Sequence, residues 1–322
     1  MAHTEDSTPP SAAGPDRTGG SPGPVRTVGL VGLGAMGGPA AGFLARSGVV
    51  TYCYDADPAA MGTAAAEGVR TAGSVPELAA SSDVVVVTVP SDQDVLDVCS
   101  PGTGVLSAAV PGTVVLICSS VTPATCRAVA AQAVPLGVDV LDAALTGGVR
   151  AAVAGTVNLL VGGDAAVLER IRPVLAPWTR TVHHLGPLGA GQIGKTVNNL
   201  CHWGQLAAVV EALRLGRALG VPPARLREAL LDGPAASRTL AEMELMRLTW
   251  HRKDLANALL MAEDEGRTLP VATTVREAME HITVQDIAEL YAEPPFPGTD
   301  PVPGADPFPG SLPGSRSGPA GG

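Results

Sequence analysis

At 322 residues, with 46% of them hydrophobic and a formal net charge of −10, the chain is long and apolar enough for one or two globular domains. Its acidic balance and scattered arginines supply no basic stripe for nucleic acid or an anionic membrane surface, and no apolar run approaches the roughly 18–20 residues of a membrane span. Five cysteines without a CxxC pair suit reduced thiols packed as small apolar side chains, and the first 24 residues lack the basic and apolar regions of a secretory signal, so a cytoplasmic protein is expected.

Residues 1–24 and 293–322 are rich in Pro, Gly and Ser, a composition that buries too little surface to order, and both are expected to be disordered tails. Between them, β-branched runs at 27–31, 49–54, 84–89, 114–118 and 138–141 alternate with Ala- and Leu-rich segments of helical period. That alternation predicts βαβ units around a parallel sheet. From Gly191 the strand signals stop. Residues 191–220 read as one helix, closed by Gly220 and the Pro222-Pro223 pair. Its apolar residues wrap most of its circumference, and at about 1.5 Å per residue it spans roughly 45 Å, more than one small domain. Further helices are predicted at 224–232, 236–262 and 270–291 with no strand between them.

The first strand runs directly into Gly32-Leu33-Gly34-Ala35-Met36-Gly37, and a helical segment follows. A GxGxxG between strand and helix is the context in which a dinucleotide pyrophosphate binds. Gly32 permits the tight turn, Gly34 lets the backbone approach the phosphates, Gly37 lets helix and strand pack closely, and the helix N-terminus offers free N–H groups. Asp55 stands 23 positions after Gly32 at the end of the second strand, where a carboxylate can accept from ribose hydroxyls and repel a 2′-phosphate. No Arg follows Asp55, so NAD is expected in preference to NADP. The fold class is therefore α/β, with a Rossmann-type parallel-sheet domain at 25–188, a long interdomain helix, and an all-α substrate and oligomerisation domain at 189–292.

A KxxNN motif places Lys195 and Asn199 at i and i+4 on one face of the long helix, with Asn198 alongside. Of the chain's 21 Lys and Arg residues only Lys195 and Lys253 are lysines. Arginine cannot replace a lysine that must lose its proton. A lysine partly desolvated in an interdomain cleft can fall toward neutral pKa and act as a general base.

Four stretches occur in a telling order: GLGAMG, DAALTGGVRAAVAGTVNLLVGG at 142–163, GAGQIGKTVNN at 189–199 and KDLANALLMAEDEGRTLP at 253–270. On these the chain resembles the β-hydroxyacid dehydrogenases, among them 3-hydroxyisobutyrate dehydrogenase, tartronate semialdehyde reductase and the related 6-phosphogluconate dehydrogenase, over residues 25–291. The resemblance implies hydride transfer between NAD and a small β-hydroxy acid, with Lys195 as general acid/base and Asn199 hydrogen-bonding the substrate. It also implies that Thr146, Gly147 and Gly148 hold the substrate carboxylate, where two consecutive glycines can form an anion-binding nest and a hydroxyl can reinforce it. Thr146 stands where the family usually has Ser, and Ala144 where it usually has Pro, which changes the pocket's shape. By the same resemblance Val89, Pro90 and Ser120 line the cofactor, and Lys253 lies at its nicotinamide end with Asp254 positioning the helix. Arg150, Trp203 and Arg238 are candidates for side-chain selectivity, and His202, at i+7 from Lys195, shares its helix face.

The six histidines show no metal-ligand spacing, so no metal is expected. A homo-oligomer is expected from the long apolar helix. Two other readings remain: a C=N reductase of the imine reductase kind, whose proton donor generally stands where this chain keeps Lys195, and a non-catalytic dinucleotide-binding protein.

Overall fold

The computed structural model describes residues 24–291; the two expected tails otherwise lie outside the described residues. Val84–Val87 and Val114–Ile117 are continuous runs of buried Val, Leu and Ile, the pattern of strands covered on both faces. They form β4 and β5, beside β1 (Thr27–Val31), β2 (Val50–Tyr54) and β6 (Asp139–Thr146). Successive side chains point to opposite faces. Val84, Val86, Val114 and Leu116 accordingly enter one apolar cluster, while Val85, Val87, Val115 and Ile117 enter another. Each fully buried side chain of this size contributes about 1.5–3 kcal/mol.

The sheet has eight strands in the order β3-β2-β1-β4-β5-β6-β7-β8. β3 (Arg70–Thr71), β7 (Val157–Gly162) and β8 (Thr179–Gly186) were not marked by β-branched runs. β3 is a two-residue edge strand, and β8 is an edge strand with exposed Arg180, His183 and His184, so neither carries a buried apolar signature. β1 to β6 are mutually parallel, whereas β7 runs antiparallel to β6 and parallel to β8. Helices α1 (Gly37–Arg46), α2 (Pro58–Ala66), α3 (Val75–Ala80), α4 (Asp92–Cys99), α5 (Pro123–Ala133), α6 (Gly148–Val153) and α7 (Ala165–Leu175) connect the strands.

The long helix α8 covers Ala190–Ala218, and α9 (Pro223–Leu231), α10 (Arg238–Ala241), α11 (His251–Asp264), α12 (Pro270–Met279) and α13 (Val284–Tyr291) follow. The segments 236–262 and 270–291 are each divided rather than continuous. The chain splits into two compact units. One comprises the sheet, α8 as far as Trp203, and residues 250–276; the other comprises 204–249 and 277–291 of the described residues. The second unit is helical. Inside it Arg227 pairs with Glu244, donates to the Leu240 carbonyl at 3.1 Å and covers the Tyr291 ring at 5.3 Å, while Arg214 pairs with Asp286 at 2.7 Å.

The start of α8 is fixed by a buried carboxylate. Asp142, fully enclosed on β6, accepts from the backbone N–H groups of Gly189 at 2.5 Å and Gln192 at 2.8 Å. These are donors a helix N-terminus leaves unsatisfied, and the acceptor also meets the positive end of the helix dipole. Burial nevertheless outweighs these bonds and holds the carboxyl above its ordinary range. A Cβ at Gly162 or Gly191 would run into this carboxylate, so both glycines are required by close approach. Asp142→Ala is expected to strand two buried N–H groups, costing about 1–3 kcal/mol for each, and to lower the thermal midpoint by several degrees in a melt followed by circular dichroism.

Candidate active site

The C-terminal ends of β1, β2, β4, β5 and β6 lie along one edge of the sheet, because these strands are parallel. The strand order reverses at β1, between β2 and β4, and ligands of open α/β sheets bind beside such a reversal. Gly32 stands there with φ +93°. Its N–H donates to the Tyr54 carbonyl at 3.0 Å, and its own carbonyl accepts from the Thr88 hydroxyl at 2.6 Å. A Cβ at Gly32 would lie 2.5 Å from the Thr88 carbonyl oxygen, and one at Gly37 would meet the Gly32 carbonyl. Gly34 differs: a Cβ there would meet nothing within 4 Å. Its backbone therefore borders open space, as a close-approaching phosphate requires. Met36 provides no side-chain cap for α1, and no acidic residue occupies the helix's first turn, leaving N–H groups and positive dipole for an anion. Leu33 packs its side chain in the core, and Ala35 is exposed. These residues fit a dinucleotide. Asp55 also touches this loop: one carboxylate oxygen accepts from the Leu33 N–H at 2.6 Å, the other from the Asp57 N–H at 2.8 Å.

The loops after β4 and β5 are tied together. Ser119 Oγ accepts from the Val89 N–H at 2.8 Å. Asp92 accepts from the Thr122 N–H at 2.8 Å and from the Thr125 hydroxyl at 2.6 Å; burial alone would raise its pKa, but these hydrogen bonds bring it below the ordinary carboxylate range. Lys253, on α11, donates to the carbonyls of Pro90 at 3.4 Å and Ser120 at 3.5 Å.

Lys195 lies on α8, a half-buried side chain in a pocket lined by Ser120, Gln192, Asn199, Asp254 and Asn257, among others. Burial pushes its ammonium below the ordinary lysine range, and Asp254 pulls the other way. Asn199 is buried, and its side-chain oxygen accepts from the Asn198 amide at 3.1 Å. Gln192 anchors the wall, donating to the Ser119 carbonyl at 2.9 Å while its own oxygen accepts from the Val121 N–H at 3.3 Å. His202 is held below its usual pKa, first by burial and then by Lys195. Lys195 and Asn199 on α8, Ser120 after β5 and Asp254 on α11 are thus gathered around one pocket, with Lys253 bonded to the Ser120 carbonyl.

Comparison with known proteins follows the same outline. The family model described as the NAD binding domain of 6-phosphogluconate dehydrogenase matches residues 27–186. The one described as NAD-binding of NADP-dependent 3-hydroxyisobutyrate dehydrogenase matches 189–290. The chain is 33% identical to 2-(hydroxymethyl)glutarate dehydrogenase of Eubacterium barkeri over 79% of its own length and 88% of the relative's. It belongs to the β-hydroxyacid dehydrogenase family. This member is also 34% identical to 2-hydroxy-3-oxopropionate reductase of Escherichia coli, over 78% of this chain and 89% of that one. The solved structure of Mycobacterium tuberculosis 3-hydroxyisobutyrate dehydrogenase with L-serine matches with a TM-score of 0.74 and 30% identity, covering 80% of this chain and 93% of that one. The chain is accordingly an oxidoreductase carrying an NAD(P)-binding domain.

In this β-hydroxyacid dehydrogenase, Thr146 ends β6, and its hydroxyl accepts from the Asn158 amide at 3.4 Å. Gly147 and Gly148 follow with φ +104° and +67°, a left-handed pair that L side chains rarely adopt. These three stand outside the lining of the Lys195 pocket, at the same sheet edge. Of the selectivity candidates, Arg150 is exposed on α6, Arg238 pairs with Glu242 in the second unit at 3.1 Å, and Trp203 is buried with its indole N–H on Asp254. The reading from sequence overlooked Gln192, Asn257 and the anchoring Asp142. A lone Asp within the apolar run of β6 was the available signal for Asp142. Burial raises the thiols of Cys53 to about 11 and Cys99 to about 12, whereas Cys201 is exposed. Among the described residues no group of three or more His, Cys, Asp or Glu is placed to hold a metal, and no helix is long and apolar enough to cross a membrane.

Proposed function

We propose that the protein is an NAD-dependent dehydrogenase of a small β-hydroxy acid, interconverting it with the corresponding semialdehyde or keto acid. The observation that carries this reading is the half-buried Lys195, its ammonium disfavoured by burial, one helical turn from Asn199 and facing the Ser120 loop. When bound, the nicotinamide would take the hydride from the carbinol carbon in oxidation and return it in reduction. The work of the chain's own groups is to bind, orient and move one proton. Lys195 Nζ in its neutral form accepts the hydroxyl proton, or as ammonium returns it to the carbonyl oxygen in the reverse direction. Asn199 hydrogen-bonds the substrate and holds its hydroxyl near that amine, supplying orientation. Thr146, Gly147 and Gly148 hold the substrate carboxylate. Residues 25–188 are assigned to the cofactor, and the segment that begins at 189 supplies Lys195 and Asn199 to the substrate.

The glycine loop from Gly32 to Gly37, with Val89, Pro90, Ser120 and Lys253, is assigned to the cofactor. Asp55 is assigned to the adenosine ribose, and its charge disfavours a 2′-phosphate. Turnover with NAD is therefore expected to exceed that with NADP by at least about tenfold in kcat/KM, roughly 1.4 kcal/mol, when both are assayed against a panel of small β-hydroxy acids. Equal turnover would remove the role given to Asp55. The protein is further proposed to act as a homo-oligomer in the cytoplasm. Exposed Leu215 on α8 and exposed Leu219 in the turn just after it favour assembly. Light scattering is expected to give a multiple of the 32.3 kDa chain mass, and a monomer mass would refute it.

A further inference from the structure

Trp203 is buried two helical turns beyond Lys195 on α8, and an enclosed indole N–H needs an acceptor. It finds one in Asp254 Oδ2, at 3.0 Å. Asp254 sits in the first turn of α11 and lines the pocket that Lys195 lines. The indole is itself held from two sides: the His202 ring lies 4.5 Å away, centroid to centroid, and the His251 ring meets it edge-on at 5.9 Å. A carboxylate on a solvated helix end would otherwise exchange rotamers, carrying its charge away from the pocket.

We propose that Trp203 is a positioning residue for the reaction, its indole N–H pinning the Asp254 carboxylate at the pocket wall so that a fixed negative charge faces the Lys195 amine. This rests on the reading of Lys195 as the proton-transfer group. The balance at that amine has two opposed contributions. Burial favours the neutral form, and Asp254 favours the ammonium. The other titratable groups nearby are His202 on α8, which senses both Lys195 and Asp254, His251 behind the indole on α11, Lys253 on α11 against the Ser120 carbonyl, and Asp142 beneath the start of α8; the loop after β5 contributes Ser120. Releasing Asp254 weakens the one contribution that keeps the ammonium available. Trp203 thereby sets the pH at which Lys195 exchanges its proton.

The test uses the chain's scarcity of lysine. Trace labelling of the full-length protein with acetic anhydride across a pH series, read by mass spectrometry, follows Lys195 and Lys253 separately, because no other lysine exists. Three variants are compared with the wild type: Trp203→Phe, which keeps a ring but deletes the N–H; Asp254→Asn, which keeps an acceptor but deletes the charge; and the double variant. Trp203→Phe is expected to move the Lys195 titration downward by about one pH unit, the size of a neighbouring opposite charge lost. Asp254→Asn should do the same, and the double variant should go no further than Asp254→Asn alone. A Lys195 titration unchanged in Trp203→Phe, whether or not Asp254→Asn shifts it, overturns the proposal. If Trp203→Phe unfolds, Trp203→His, which keeps a ring N–H, serves instead: a Lys195 titration at the wild-type position supports the pinning role, and one displaced as in Asp254→Asn overturns it. Should no hydroxy acid turn over, the functional reading fails in the kinetic assay while this titration still reports on Trp203.

Discussion

Lys195→Ala is expected to lower kcat/KM for hydroxy-acid oxidation by about 10²- to 10⁴-fold, the usual contribution of a positioned acid/base group, while leaving NADH affinity within a few-fold of wild type. The two readouts separate because Lys195 lies on α8 in the pocket with Asn199 and Asp254, whereas the glycine loop is built from β1 and α1. Fluorescence titration of NADH beside steady-state kinetics checks both. Lys195→Arg should recover little, since a guanidinium keeps its proton throughout the working range. The pH dependence follows in sign. Burial lowers the Lys195 pKa, so the neutral base is available at lower pH than for an exposed lysine. Oxidation should lose rate as pH falls through that pKa, when the amine becomes protonated. Reduction, which needs the ammonium, should lose rate as pH rises through it. In Lys195→Ala that limb of the profile should vanish.

Substitutions in the glycine loop are expected to separate binding from folding. At Gly34 a side chain has open space, so Gly34→Val should fold with a melting temperature near that of wild type. The same side chain would occupy the space the dinucleotide backbone needs, weakening NADH binding by about a hundredfold, roughly 2.7 kcal/mol. At Gly37 a Cβ meets the Gly32 carbonyl and the Thr88 hydroxyl. Gly37→Val must therefore push α1 off β1 and should lose both stability and cofactor binding, at a cost of several kcal/mol by overpacking. Thermal melts and NADH titrations on the two variants distinguish the cases. If Gly34→Val binds NADH normally, the phosphates do not pass over that residue.

Where local sequence carries the physics, the fold was legible. Runs such as Val84–Val87 announce a covered strand because every side chain is buried, and the glycine spacing announces the strand-to-helix turn because Gly32 and Gly37 each meet a separate steric demand while Gly34 borders open space. KTVNN was legible for a similar reason, since helical period alone puts Lys195 and Asn199 on one face. The rest depends on contacts that sequence spacing does not encode. β8 lacks an apolar stripe because none of its residues is buried at the sheet edge, so only its pairing with β7 makes it a strand. Asp142 reads as an interruption in an apolar run until the fold brings Gly189 and Gln192, some fifty residues on, against its carboxylate. Trp203 suggested pocket selectivity, yet the structure turns it inward to Asp254, 51 residues away in the chain. Asp254 itself was placed beside Lys253 as a helix-positioning residue, and its presence in the Lys195 pocket became visible only with α8 and α11 packed side by side.

A single comparison distinguishes which bond the Lys195 pocket serves. The protein with NAD is offered small β-hydroxy acids such as 3-hydroxyisobutyrate, glycerate, 3-hydroxypropionate and serine, and with NADH it is offered a cyclic imine; nicotinamide absorbance follows each reaction. Oxidation of at least one hydroxy acid is expected, abolished in Lys195→Ala, with no turnover of the imine. Reduction of the imine with every hydroxy acid inert, or tight NADH binding with no turnover at all, would overturn the assignment of Lys195 to hydroxy-acid oxidation.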